Sequence, residues 1–310
     1  MLSYRGTRQR VLFLAVLLLA LASSALAQQH TWAGVERVVA VGDVHGDCGS
    51  FVKVLRAAKV IDEKDNWIGG KTHLVQVGDV LDRMPDSRRA MDLLMKLEGQ
   101  AAKAGGGVHP LIGNHEVMVL LGDWHYVHPG EIKAFGGEAA YRKAMSEDGK
   151  YGKWIRSHNA VIKINDTLFV HGGLEEKYAK MSLDELNKAV RRDLRKGGTM
   201  RVVTDSYGPV WYRGNALMNG EDLDEDLRAV TRTHDVKRLV VGHTVSREGI
   251  KVRGGGRVIV IDTGISTYYR RYGGRPACLL IEKGAPSALY PGQKKIPLAI
   301  PGKKRDAAGD

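Results

Sequence analysis

The chain has 310 residues, 43% of them hydrophobic and 26% charged, an ordinary globular composition that excludes a collagen-like or wholly disordered polymer. Its formal charge of +12, from 47 Lys+Arg against 35 Asp+Glu, favours anionic partners or surfaces. Its two cysteines, Cys48 and Cys278, exclude a disulfide scaffold and a four-cysteine zinc module and allow at most one disulfide.

The first ten residues carry Arg5, Arg8 and Arg10 and no acid, and Val11 to Ala22 is an unbroken apolar run. Ala25-Leu26-Ala27 then precedes Gln28-Gln29. A basic start, a short apolar run and a small-residue site predict a secretory signal peptide over residues 1–27. The run is too short to span a bilayer core, which needs ~20 residues. Removing it takes three arginines and lowers the charge from +12 to +9. The expected destination is the periplasm or the outside of a bacterial-type cell, with no transmembrane segment after cleavage.

Six short apolar runs follow, each ending in glycine or a polar residue. Val38 to Val41 leads into Gly42-Asp43-Val44-His45-Gly46, and Leu74 to Val77 into Gly78-Asp79-Val80-Leu81-Asp82-Arg83. Val108 to Ile112 leads into Gly113-Asn114-His115-Glu116, and Leu168 to Val170 into His171-Gly172-Gly173. Leu239 to Val241 leads into Gly242-His243-Thr244, and Val258 to Ile261 into Asp262-Thr263-Gly264. Continuous apolar runs predict strands buried on both faces and covered by helices. Phe51 to Ala58 and Ser87 to Leu97 have helical apolar spacing. In such α/β sheets ligands sit beyond the carboxyl ends of the strands, so all six ends deliver their polar residues to one side.

The domain is expected over 28–290, with an inserted cap at about 122–158 that is helical around Glu138 to Met145. Residues 182–232 read as a second charged, mostly helical stretch. Gly254-Gly255-Gly256 reads as a hairpin turn, and 291–310 as a basic, flexible tail.

Asp43, His45, Asp79, Asn114, His171 and His243 are all oxygen or imidazole donors, enough for two divalent ions if one carboxylate bridges. One strand-end histidine is more often structural than ligating, but three beside two strand-end aspartates are hard to explain that way. His30, His73, His109, His125, His128, His158 and His234 are assigned structural places. Arg83 and Arg213 suit the gripping of a tetrahedral oxyanion. His115 adjoins Asn114, and Asp82 could orient it and favour its protonated form, which beside a leaving oxygen is a general acid. There is no GxxxxGK[ST] loop, nor a cysteine with an arginine six residues on.

GDVHG, GDVLDR, GNHE, HGG and GHT, in this order, resemble the calcineurin-like metallophosphoesterases, and the first three their phosphoprotein-phosphatase branch. GNHEVMVLLGDWHYV (113–127), LFVHGGL (168–174), GPVWYRG (208–214), VVGHT (240–244) and VIVIDTG (258–264) are similar to the bacterial Shewanella-like protein phosphatases, a likeness running over about 36–285. It implies an α/β/β/α sandwich of two mixed sheets and a dinuclear centre. By motif, Asp43 and His45 hold the first ion, Asp79 bridges, and Asn114, His171 and His243 hold the second. Arg83, Arg213 and Asn114 contact phosphate, and His115 protonates the leaving group with support from Asp82. The ions in such enzymes are Mn, Fe or Zn, arming a hydroxide. Met84-Pro85 after Arg83, and the lack of a Ser-Ala-Pro-Asn-Tyr-Cys stretch, depart from the Ser/Thr-specific pattern.

The expected function is therefore a secreted phosphatase for phosphate monoesters, with phosphoprotein, and phosphotyrosine in particular, as substrate and no specific nucleic acid as partner. The alternatives are hydrolysis of dinucleoside polyphosphates or other small phosphate esters, and a non-catalytic phosphate binder, against which the full ligand and acid set stands. Trp124, His125 and Tyr126 either line the substrate mouth or pack the inserted helices, and packing is the simpler reading.

Overall fold

The structure, a computed structural model, describes residues 29–195 and 201–299. The predicted signal peptide over 1–27 and residues 300–310 of the predicted basic tail lie outside the described residues.

Each of the six apolar runs is a strand. β2 (Arg37–Val41), β3 (His73–Gln76) and β4 (Gly107–Pro110) pair in parallel. β10 (Cys278–Glu282) adds antiparallel to β2, followed by β11 (Ala285–Leu289) and β12 (Ile296–Pro297), giving the order β12-β11-β10-β2-β3-β4. A second mixed sheet has the order β1-β5-β6-β7-β9-β8. Its members are β1 (Thr31–Trp32), β5 (Val161–Ile164), β6 (Thr167–Val170), β7 (Arg238–Val241), β8 (Lys251–Arg253) and β9 (Val258–Val260). β6, β7 and β9 are mutually parallel, so their carboxyl ends also point one way.

The alternation along each strand shows why the runs are apolar throughout. Val38, Ala40, Val75 and Val77 pack with Ile162, Ile164, Phe169, Val240, Ile259 and Leu279 in one buried layer drawn from both sheets. The intervening residues, including Val39, Val41, Leu74, Leu168, Val170, Leu239 and Val241, belong to the larger core shared with the helices. Helices cover only the outer faces; the inner faces cover each other. β4 is an edge strand and alternates half-buried with buried positions.

α1 (Cys48–Ala57), α2 (Ser87–Lys103) and α3 (Asn114–Leu121) follow the first three site loops. Asp47 caps α1, accepting from the Ser50 N–H at 2.8 Å. Residues 122–158 form α4 (Pro129–Phe135), α5 (Glu138–Met145) and α6 (Lys150–Arg156). Their Phe135, Tyr141, Tyr151 and Ile155 pack into the helix-covered core. The stretch from 182 to 232 contributes α8 (Leu183–Asp193), α9 (Arg201–Thr204), α10 (Gly214–Leu217) and α11 (Gly220–His234), after the short α7 (Glu176–Ala179).

Gly254–Gly256 turns the chain between antiparallel β8 and β9. The near part of the basic tail is held: Ile296 and Pro297 pair with Ala288 and Ser287, and Lys295 reaches Glu282 at 2.5 Å. Cys48 and Cys278 are buried free thiols, with burial pushing their pKa values up to about 11 and about 12. No helix among the described residues is long and apolar enough to cross a membrane.

Candidate active site

The loops after β2, β3, β4, β6 and β7 meet over the ends of both sheets. The first two are laced by main chain: the Val44 and His45 N–H groups donate to the Asp79 carbonyl at 2.9 Å each. Gly46 (φ 66°) lies so close to the second loop that a Cβ there would sit 2.1 Å from the Met84 carbonyl oxygen. The Glu116 carboxylate accepts from the N–H groups of Gly113 at 2.8 Å, Asp79 at 2.7 Å, Val80 at 2.8 Å and Leu81 at 3.2 Å. One buried carboxylate thus fixes the second and third loops together.

Asp43, His45, Asp79, Asn114, His171 and His243 are all buried and gather at one place. Each histidine is held through one ring nitrogen by a main-chain carbonyl. His45 Nδ1 lies 3.2 Å from Leu81 O, His171 Nδ1 2.9 Å from Val77 O, and His243 Nε2 3.1 Å from Trp211 O. A carbonyl can only accept, so each of these nitrogens carries the proton and the other presents its lone pair to the site. His171 Nε2 then faces Asn114 Oδ1 at 2.9 Å, His243 Nδ1 at 3.2 Å and Asp79 Oδ2 at 3.3 Å. His45 Nε2 is 3.8 Å from both Asp43 Oδ2 and Asp79 Oδ2.

Acceptors turned on acceptors inside a protein repel unless a proton or cation lies among them. Burial acts to lower His171, and Asp79 and Asp43 outweigh it, raising its pKa to about 9. Burial and the neighbouring Asp262 hold Asp43 well above the carboxylate range. Burial acts to raise Asp79, but the imidazoles of His171 and His115 hold it well below. Asp79, His171 and His243 form one tight donor group, and Asp79, His45 and His115 a second. This donor set fits divalent metal ions, and Asp79 belongs to both groups.

Beside the donors, His115 Nδ1 donates to Asp82 Oδ2 at 2.6 Å. Burial pulls the His115 pKa down, but Asp79 and Asp82 outweigh it and hold the imidazole above its ordinary value. Arg83 Nη2 lies 3.3 Å from His115 Nε2, and Arg213 Nη1 donates to the His243 carbonyl at 2.5 Å. Both arginines open onto a cleft of about 400 Å³ floored by Asp43, Asp79 and Asn114.

The three aromatics after the GNHE helix divide. Trp124 packs edge-on against Tyr141, ring centroids 5.2 Å apart, and its indole donates to Val119 O. Tyr126 lines the cleft, 4.8 Å from the Arg83 guanidinium, and His125 stacks edge-on against Tyr126. The Arg83 N–H donates to the Tyr126 carbonyl at 2.9 Å, which fixes that wall.

Four residues here carry no assigned role in the sequence reading. Tyr269 lines the cleft, and Tyr268 stands 5.2 Å from the Arg83 guanidinium. Asp262 is fully buried beside Asp43, with one carboxylate oxygen on the Gly264 N–H at 2.9 Å, and burial raises its pKa to about 6. Glu116 is the fourth. Asp262 ends a strand and Glu116 ends GNHE, so both stood within recognised patterns; the tyrosines gave no such signal.

The other histidines lie elsewhere: His73 and His109 pair at 2.9 Å, His128 caps α4, and His158 faces Glu98.

The family pattern of the calcineurin-like phosphoesterases matches residues 36–247. The chain belongs to that family. It is a metallophosphoesterase, and family membership implies divalent metal ions. An uncharacterized protein of Schizosaccharomyces pombe is 37% identical over 75% of this chain and 74% of its own length. The Shewanella-like protein phosphatase 1 of Plasmodium berghei is 32% identical over 76% of this chain and 68% of its own. Among solved structures, the cold-active protein-tyrosine phosphatase of a psychrophilic Shewanella species superposes with a TM-score of 0.77, at 32% identity, over 89% of this chain and 85% of that one.

Proposed function

We propose that this metallophosphoesterase is an exported protein phosphatase that removes phosphate from phosphotyrosine at a dinuclear centre. The observation that carries the reading is the sharing of Asp79 by two donor groups beneath a cleft that also holds a guanidinium and an imidazole–carboxylate pair. Asp43, whose Oδ2 lies 3.8 Å from His45 Nε2, would hold one ion with His45 and Asp79, leaving His115 of that group for proton transfer, and Asp79, Asn114, His171 and His243 would hold the other. When bound, such ions would supply Lewis acidity to phosphate oxygens and lower the pKa of a nearby water. The N/O donor set suits Mn, Fe or Zn.

The chain's own residues supply the rest. Arg83 and Arg213 draw the phosphoryl group in and orient it through paired N–H donors. The Asn114 amide nitrogen, 4.0 Å from Met118 Sδ, is a third donor. Arg83 occupies His115 Nε2 in the resting site. A phosphate that takes over the guanidinium frees that nitrogen to carry a proton to the leaving oxygen, while Asp82 stabilises the imidazolium. Tyr126 and Tyr269 border the entrance and suit an aryl leaving group. The relative from Shewanella, named a protein-tyrosine phosphatase, supports the same preference. The basic, apolar and small-residue order of 1–27 supports export, with the catalytic domain over 28–290.

The test is turnover of 4-nitrophenyl phosphate by the chain from Gln28 with added Mn²⁺, beside Asp43→Asn and His115→Asn. Wild type should turn over and both variants should lose most activity; three proteins behaving alike would remove the residue assignment. Metal analysis should find two ions per chain, and one would defeat the dinuclear reading. Phosphotyrosine peptides should outpace phosphoserine peptides and dinucleoside polyphosphates. Equal rates would leave the phosphatase without the proposed preference.

A further inference from the structure

The segment from Gly264 to Arg275 stands at the lip of the cleft and is built as a fixed arm. Its base is closed by Thr263 and Arg275, whose main chains bond at 2.9 Å and whose Thr263 hydroxyl donates to the Arg275 carbonyl at 2.8 Å. Asp47, the cap of α1, accepts from the Thr267 N–H at 2.8 Å. Ser266 caps the 3₁₀ turn Thr267–Tyr272, and Gly273 (φ 87°) ends it. The arm therefore needs little ordering before it meets a ligand.

Its surface is aromatic and cationic. Tyr268 has the Arg83 guanidinium 5.2 Å from its ring and the Arg271 guanidinium 5.9 Å from it. One ring thus links an arginine inside the cleft to one outside. Arg271 also lies 4.7 Å from the Tyr272 ring. Arg270 and Arg271 are exposed, and Arg247 is adjacent, its Cβ near Gly273. Among the described residues none of these three arginines has a carboxylate at ion-pair distance, and the nearby Glu248 is taken by Lys251. Residues 264–275 contain no acid. Guanidiniums stacked on rings keep their N–H edges free for carboxylates.

We propose that this arm is a docking surface for acidic side chains flanking the phosphorylated residue, so that the enzyme selects phosphopeptides with Asp or Glu beside the phosphorylated position. The inference rests on the phosphatase reading for its anchor in the cleft. It concerns the arginines outside the cleft, which a small phosphate ester cannot reach.

The experiment uses one phosphotyrosine core peptide with acidic, neutral or basic flanks, assayed on wild type, Arg270→Glu/Arg271→Glu and Arg270→Gln/Arg271→Gln. Wild type should favour acidic over neutral flanks by about 3–10-fold in kcat/KM, through KM, with the advantage shrinking in salt. The Gln pair should abolish the preference and the Glu pair should reverse it, while 4-nitrophenyl phosphate turnover changes by less than about twofold. The same flank preference in all three proteins, or none in wild type, would overturn the proposal. Anisotropy of the labelled peptides is read in parallel. Flank-dependent binding without turnover of any substrate would uphold the arm and count against the phosphatase reading alone.

Discussion

His45 (φ 47°), Asp79 (φ 58°), Asp82 (φ 73°), Arg83 (φ 68°) and His243 (φ 60°) all hold left-handed backbone, a region that resists side chains. Each such residue costs ~1–3 kcal/mol and persists only where its surroundings fix it. Here they do: His45 and Asp79 are tied by the main-chain bonds between their loops, and the His243 N–H donates to Asp43 at 3.1 Å. The strain turns each side chain back over the strand end toward the donors. GDVHG and GDVLDR made these residues visible in the sequence, but nothing there showed that five non-glycine residues adopt a conformation glycine prefers. His115 sits outside this strained set, at the start of α3, and the proton delivery proposed for it separates from binding. His115→Asn should lower kcat by about 10²–10⁴-fold, and Asp82→Asn by less, because the imidazole stays in place. Competitive inhibition by inorganic phosphate should survive in both, since Arg83 and Arg213 remain. A matching loss of phosphate affinity in His115→Asn would mean that the imidazole binds phosphate rather than delivering a proton.

Two places in the first sheet depend on polar side chains held between elements. The loop after β3 and the start of α3 are joined through Glu116, which satisfies four N–H donors at once. Glu116→Gln puts an amide where only an acceptor fits, so Mn²⁺ affinity should weaken about 10–100-fold by titration while the far-ultraviolet spectrum is unchanged. Unaltered affinity would show that the loops hold without it. At the edge of the same sheet, His109 of β4 bonds His73 of β3 and stacks on Trp32 of β1, ring centroids 4.1 Å apart. Burial lowers the half-buried His109 to about 3, below its ordinary 6.5. The unfolded chain then binds more protons between those values, so the stability this pair contributes is complete above pH 6.5 and falls as pH drops toward 3. His109→Gln should flatten the decline in Tm between pH 7 and 5; an unchanged slope would assign it to other groups. Trp32, His73 and His109 read separately as unremarkable residues, because only the pairing of β1 beside β5 brings the tryptophan to the histidines. The site-bearing strands were readable since each ends in a motif. β5, β10 and β11 lead into no such motif, and they escaped notice for that reason.

At the scale of the molecule, the centre is assembled across two sheets. Asp43, Asp79 and Asn114 follow β2, β3 and β4, whereas His171 and His243 follow β6 and β7. An apolar run buried on both faces reads the same whether a helix or a second sheet covers it, so periodicity alone could not announce this division; the motif resemblance supplied it. Polar ties across the gap are close to the site itself: His171 Nδ1 to Val77 O and the His243 N–H to Asp43. Beneath them the sheets are held by the inner apolar layer, in which Phe169 is among the largest fully buried side chains. Ions bound by donors from both sheets would therefore clamp the layers, and their binding energy would add to folding. At a hundredfold excess over Kd the gain is about 2.7 kcal/mol, so chelation should lower Tm by several degrees and Mn²⁺ should restore it. Phe169→Ala should cost about 3–5 kcal/mol through the cavity it leaves. Because Phe169 lies two residues before His171, the same change should also weaken Mn²⁺ binding and shrink the metal-dependent rise in Tm. A chelated protein that melts where the loaded one does would mean that the donors of the two sheets do not share their ions, and the proposed bridging of the centre across the sandwich would fall with it.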